Sequence, residues 1–157
     1  MRRARLELHR RRLRLESVFN AAEPLSSIAE TKSLLTRYLC VLLSGFIERS
    51  VKDAINNYAT RKSSPEFVRF VDKRTRRSVN YGAERLIALL SDFDETWEND
   101  LRTFLDVRRE EALNSVKSLR NRIAHGDDVS LGYAQMRDYT NAVYEVIDHV
   151  YDLLGCD

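Results

Sequence analysis

Two prolines and five glycines are all that interrupt 157 residues of chain. Turns and sheet corners draw heavily on those residue types, so a chain this poor in them favours long helices over many short strands. The length suffices for one domain with a real core. Apolar residues make up 43% and charged residues 32%, a soluble globular profile that excludes a disordered tail protein.

Residues 2–20 mix arginines with Leu6, Leu8, Leu13, Leu15, Val18 and Phe19. This predicts a basic amphipathic helix that stops before "AAEPLSS", where Pro24 breaks the pattern. A second helix runs over about 29–60 and is apolar almost all round between Tyr38 and Ile47, which marks it as central. "RKSSPE" is a turn in which Ser64 can cap and Pro65 suits a first helical position. Short helices follow over about 65–76, 82–92 and 94–104, joined by "SVNYGAE" and "SDFDE". The next long helix spans about 106–125, with Leu113, Val116, Leu119 and Ile123 on its inner face and Gly126 just past its end. The last spans about 130–154, where Met136, Tyr139, Val143, Val146, Ile147, Val150 and Leu154 keep three-four spacing. No strand run or repeat competes. The expected fold is an all-α bundle of about four main helices with short extra ones.

The net charge of +2 hides an uneven distribution. Residues 1–20 hold seven arginines (Arg2, Arg3, Arg5, Arg10, Arg11, Arg12, Arg14) against Glu7 and Glu16. Residues 61–85 hold eight Lys or Arg against Glu66, Asp72 and Glu84, whereas 127–157 hold one Arg against seven acids. Such asymmetry suits a basic surface for a polyanion. Cys40 and Cys156 form no disulfide framework and suggest a reducing compartment. No apolar signal core follows the basic start, and "YLCVLLSGFI" is far too short to cross a bilayer. A cytoplasmic protein is expected, with no membrane partner.

One stretch exceeds what helix formation requires: "SLRNRIAHGDD", Ser118 to Asp128. Asn121 and His125 are four apart and so are neighbours on one helical face, and the long side chain of Arg120 can curl towards the same helix end. Histidine can take or give a proton near neutrality. Arginine offers a planar fork of donors to phosphate oxygens, and Asn121 can orient the imidazole. A proton-transfer group beside a phosphate clamp is a minimal kit for cleaving RNA through the ribose 2′-OH. It needs no metal and no cofactor. His9 and His149 stand alone in the sequence, and the cysteines are far apart.

The string "RNRIAHG" resembles the signature of HEPN domains: an Arg, then a polar residue, then a His after a short spacer. Here these are Arg120, Asn121 and His125. With a Ser-started final helix behind it, the pattern is most similar to the RiboL-PSP-HEPN group. The resemblance implies an all-α, HEPN-like bundle, a homodimer with the two motifs facing each other, and a metal-independent endoribonuclease. It also implies a toxin–antitoxin, anti-phage defence or RNA-processing setting, with a possible antitoxin or regulatory protein as partner. The alternatives are a non-catalytic RNA- or protein-binding module and a regulatory subunit paired with a nucleotidyltransferase. Related groups often carry an acidic residue on the earlier long helix, and "GFIERS" offers Glu48. The basic helix is not part of the recognised pattern, so residues 1–23 are expected as an extension and 24–157 as the HEPN-like domain.

Each site residue also has a plainer reading. His125 can simply cap a helix C-terminus, and Arg120 can pair with Asp127 or Asp128. Glu48 can pair with Arg49 of another chain, pair with Arg120, face solvent, or join the site. Arg122, Arg10, Arg11 and Arg12 are the candidate RNA contacts, acting on phosphates. His149 and the tyrosines of the last helix (Tyr133, Tyr139, Tyr144, Tyr151) are read as structural.

Overall fold

The computed structural model describes residues 2–77 and 79–156. Among these, α1 spans Arg2–Ala22 and leads through a 3-10 turn, Glu23–Leu25, into α2, Ala29–Lys62. The short helices are α3, Pro65–Thr75, α4, Ala83–Ser91, and α5, Glu95–Phe104. Two long ones close the chain: α6, Val107–Ala124, and α7, Tyr133–Leu153. The described residues contain no strand. The expected all-α bundle of four main helices with short extra ones is what the chain forms.

The boundaries follow local chemistry. Ser64 Oγ accepts from Phe67 N with Pro65 in the first turn of α3. Asp94 Oδ1 accepts from Thr96 N at 2.8 Å at the start of α5, and Asp106 Oδ1 from Arg109 N at 2.9 Å at the start of α6. Each cap satisfies an amide that the first helical turn leaves unpaired. The last helix begins three residues later than expected, because Gly132 is its N-cap. Residues 127–132 stay outside it: Val129 is buried and Leu131 O accepts from Thr36 Oγ1 at 3.0 Å.

Helix α2 is the axis of the bundle, packing against α1, α3, α6 and α7. Leu39, Leu43, Ile47, Val51 and Ile55 are among its fully covered positions. They meet Leu113 and Val116 of α6 and Val143, Ile147 and Val150 of α7 in one continuous core.

The boundary expected at residue 23 does not separate two units. Leu8, Leu15, Phe19 and Ala22 of α1 are buried in the same core. The arginines between them reach inward to acids on other helices. Arg12 makes a two-point pair with Asp148 at 2.8 and 2.9 Å, and its ring-facing guanidinium lies 4.8 Å from the Tyr144 centroid. Arg11 pairs with Asp53, and Arg5 with Asp148 and Asp152. In return, Glu16 accepts from Arg137 at 2.6 Å and from the Tyr144 hydroxyl at 2.8 Å. Burial, then that carboxylate, pushes the Tyr144 hydroxyl well above the ordinary tyrosine range. The basic helix is therefore a bundle member whose cations answer the acidic last helix.

His149 is structural in the same sense. Its ring stacks on Phe104, centroids 3.9 Å apart and 2° from parallel, and its Nε2 lies 2.6 Å from Asp100.

Phe19 is fully buried. Replacing it with Ala should cost about 3–5 kcal/mol, read from urea denaturation. Removing residues 1–23 should abolish cooperative unfolding. A truncated chain with full helicity and a sharp transition would make α1 an accessory segment.

Candidate functional site

Helix α6 carries the motif on the part of it that leaves the core. Its buried positions are Ala112, Leu113 and Val116, while Leu119 and Ile123 are only half-buried. The apolar stripe thus fades over the last two turns, and polar side chains there stand at the rim.

The helix ends in a fixed way. Gly126 has φ +81°, a left-handed conformation that costs a glycine little. Asp127 N donates to Arg122 O at 2.9 Å and Gly126 N to Ile123 O at 3.1 Å. This pair of bonds is the Schellman arrangement, which satisfies the terminal carbonyls. His125 is the C-cap itself, with its side chain exposed at the helix end.

The loop beyond is clamped from both sides. Arg122 Nη2 donates to Asp128 O at 2.7 Å, and Arg37 of α2 pairs with the Asp128 carboxylate at 2.7 Å. Arg122, an expected RNA contact, thus has one donor committed to holding the loop that follows His125. Arg37 takes the Asp128 carboxylate, one of the two acids expected to pair with Arg120. Neither the Arg120 nor the His125 side chain makes a hydrogen bond or ion pair among the described residues.

Arg120 is half-buried beside α2. Burial pushes the Cys40 thiol up to about 12, and the nearby Arg120 charge only partly offsets this. Cys40 is therefore a protonated packing residue, its Sγ 3.8 Å from Val116 O.

The Asn121 amide oxygen does not meet the His125 imidazole it was expected to orient. Its partner is Asn80, in the connection between α3 and α4. Asn80 Nδ2 donates at 2.9 Å to Lys117 O and at 2.9 Å to Asn121 Oδ1, and Ser44 Oγ of α2 donates to Asn80 Oδ1 at 3.3 Å. A backbone carbonyl can only accept, so the Asn80 atom facing it must be the NH₂ group. The same NH₂ faces Asn121, so the Asn121 atom that meets it must be oxygen. The Asn121 NH₂ is left turned away, as a pair of donors at an exposed position.

The connection can lie this close to α6 because Gly82 has no side chain. A Cβ there would stand 2.8 Å from Asn114 Oδ1 and 2.9 Å from Lys117 Cδ. Asn114 Oδ1 itself accepts from Ala83 N at 3.0 Å.

Glu48 lies one turn beyond Ser44 on α2 and is half-buried. Burial raises the Tyr81 hydroxyl above its ordinary range, and the Glu48 charge adds to this while Arg85 opposes it. Glu48 therefore lies near Tyr81, one residue from the Asn80 that holds Asn121.

Of the other expected RNA contacts, Arg11 and Arg12 are turned into ion pairs within the fold. Arg10 is exposed and pairs with Glu7 at 2.8 Å on the same helix. Neither sequence spacing nor composition marked Asn80, Ser44 or Arg37. An asparagine in "SVNYGAE" reads as an ordinary turn residue, and its reach to α6 appears only once the helices are packed.

The model of one family, RiboL-PSP-HEPN, matches residues 6–155. The chain belongs to the RiboL-PSP-HEPN family. No curated protein and no solved structure matches it. The family match takes in nearly all of α1, so in this RiboL-PSP-HEPN domain the basic helix lies within the matched region. Among the described residues, no helix is long and apolar enough to cross a membrane.

The Asn80–Asn121 contact can be measured directly. Asn80→Ala and Asn121→Ala should each cost about 1 kcal/mol, and the pair should couple by about 0.5 kcal/mol or more in a double-mutant cycle. Additive losses in urea denaturation would mean that the two amides do not meet.

Proposed function

We propose that this RiboL-PSP-HEPN domain is a metal-independent endoribonuclease acting as a homodimer. The observation that carries the reading is the state of the α6 terminus. Among the described residues, an arginine and a histidine stand there with no side-chain hydrogen bond or ion pair, beside an amide that offers only donors, while Arg37 and Arg122 are engaged.

The chemistry follows from those groups. The His125 imidazole takes the proton from a ribose 2′-OH. The 2′ oxygen attacks the adjacent phosphorus as the bond from phosphorus to the 5′ oxygen breaks. The products are a 2′,3′-cyclic phosphate and a 5′-OH. Arg120 and the Asn121 NH₂ donate to the phosphate oxygens, where negative charge grows. The leaving oxygen needs a proton, and His125 of the partner subunit supplies it.

A second copy also answers a geometric difficulty. Five residues along an α-helix turn the side chain by about 140°, so Arg120 and His125 of one chain point to different sides. Two chains about a two-fold axis place an arginine of one near a histidine of the other. The face that suits this pairing is on α2. Leu34, Tyr38 and Val41 are 70%, 54% and 46% exposed there, spaced to form one stripe. Gly45 continues the stripe, with nothing within 4 Å of where its Cβ would be. On the same helix, Arg37, Cys40 and Ser44 border the motif. A toxin or anti-phage defence role, held in check by a protein partner, fits an enzyme of this kind.

His125→Ala and Arg120→Ala should keep the parental helicity and lose cleavage of a labelled RNA. The expected losses are about 10²- to 10⁴-fold for the proton-transfer group and about 10²- to 10³-fold for the phosphate donor. EDTA should not reproduce them. Folded variants that cut at the parental rate would make the motif structural.

Tyr38→Asp with Val41→Asp should give a folded monomer by light scattering and lose cleavage with it. A monomer that still cleaves RNA would overturn the shared cleft.

A further inference from the structure

Helix α3 exposes a pair of phenylalanine rings beside a set of cations. Of its 11 residues only Val71 is buried. Phe67 and Phe70 are 45% and 56% exposed. Three residues apart, they share a face, with ring centroids 6.1 Å apart and planes tilted by 31°. One turn further, the Arg74 guanidinium lies 5.9 Å from the Phe70 ring centroid.

Further cations stand on the helix and just past its end. Arg69, Lys73, Arg74 and Arg77 are exposed and form no ion pair among the described residues. Arg76 is committed to Asp72 at 3.0 Å. The one exposed acid of the helix, Glu66, sits in its first turn, where its own backbone amide and Ser64 hold its carboxyl below the ordinary range.

A scattered exposed phenylalanine needs no explanation, but this combination selects an occupant. An apolar helix or core would leave four cations uncompensated. A nucleic-acid duplex offers phosphates but hides the flat faces of its bases. A single strand offers both, bases to the rings and phosphates to the cations. We infer that the exposed side of α3 and the residues just past it form a binding track for single-stranded RNA, with bases on Phe67 and Phe70 and phosphates on Arg69, Lys73, Arg74 and Arg77.

The position supports a continuous path. The chain leaving α3 reaches Asn80, which holds Asn121, within five residues. Fully extended, that is at most about 18 Å, so a strand lying on the motif can continue onto α3. The inference rests on the ribonuclease reading for the use of the track, not for its binding.

The probe is a short fluorescein-labelled single strand, 2′-O-methylated throughout and so uncleavable, with its duplex as control. In fluorescence anisotropy, Phe67→Ala with Phe70→Ala should weaken single-strand binding at least about fivefold, the lower end for one stacked base. The salt dependence and duplex binding should hardly change. Lys73→Gln with Arg74→Gln should instead flatten the slope of log affinity against log salt by about 1.4, the release expected for two phosphates of a single strand. Unchanged single-strand affinity in the aromatic variant overturns the track, as does an equal loss on duplex or a parental protein that binds no single strand. A change in oligomeric state with RNA binding intact also overturns it, because a second copy then covers the face. Parental binding that depends on the rings, with no cleavage of unmodified RNA, supports the track and sinks the ribonuclease reading alone.

Discussion

The burial of α2 is the constraint from which the other placements follow. It packs against α1, α3, α6 and α7, so each helix occupies a sector of its circumference. Leu39, Leu43 and Ile47 take the core sector, and Cys40 and Ser44 face α6 and the connection that holds its end. Leu34, Tyr38 and Val41 are left outside. A helix crowded on several sides must be nearly apolar all round, and that property was plain in the sequence between Tyr38 and Ile47. Because α2 is fixed, the rim of α6 is fixed relative to the Asn80 connection and to Arg37. The motif is therefore positioned by elements that carry none of its chemistry.

Ion pairing then separates the arginines into two groups. Arg5, Arg11, Arg12 and Arg137 meet acids across helix boundaries, several of them while half-buried. Pairs of this kind contribute little beyond the cost of desolvating them when both partners are present, yet losing one partner is costly. They act mainly to fix which helix lies where. Arg109 does the same between α6 and α7, meeting Glu145 at 2.8 Å and lying 4.4 Å from the Phe104 ring centroid. Arg108 and Arg109 hold the Glu145 carboxyl below its ordinary range, against the opposing effect of burial. Stability from this carboxylate is present above its unfolded-state titration and is lost as pH falls through the lower folded one.

The helices could be read from the chain because their signals are local. Ser64 with Pro65, Asp94, Asp106 and Gly126 each act within a few residues, and the three-four spacing of α7 is visible in one window. The place of α1 was not legible. Its arginines look like a solvated or RNA-facing set until Asp53, Asp148 and Asp152, far along the chain, come beside them. Arginine also covers apolar surface with its stem, so a helix alternating Arg with Leu can be a core member without a long apolar stripe. The candidate site divided in the same way. Arg120, Asn121 and His125 could be named from their spacing and types, whereas Asn80 and Arg37 act through contacts spanning 41 and 91 residues.

That division also explains why Arg120 remains available. Asp128 is close in sequence and would serve as its counter-ion if the loop after His125 were free to fold back. The loop is not free: Arg122 holds the Asp128 carbonyl and Arg37 holds its carboxylate. Two other arginines thus occupy Asp128, and the Schellman turn at Gly126 sets the direction in which the loop leaves. Among the described residues the half-buried Arg120 guanidinium forms no ion pair beside the buried Cys40 thiol. Its planar fork of donors stays open at the rim of α6. The loop clamp, made by residues on both α2 and α6, is what keeps Asp128 from folding back onto the α6 terminus.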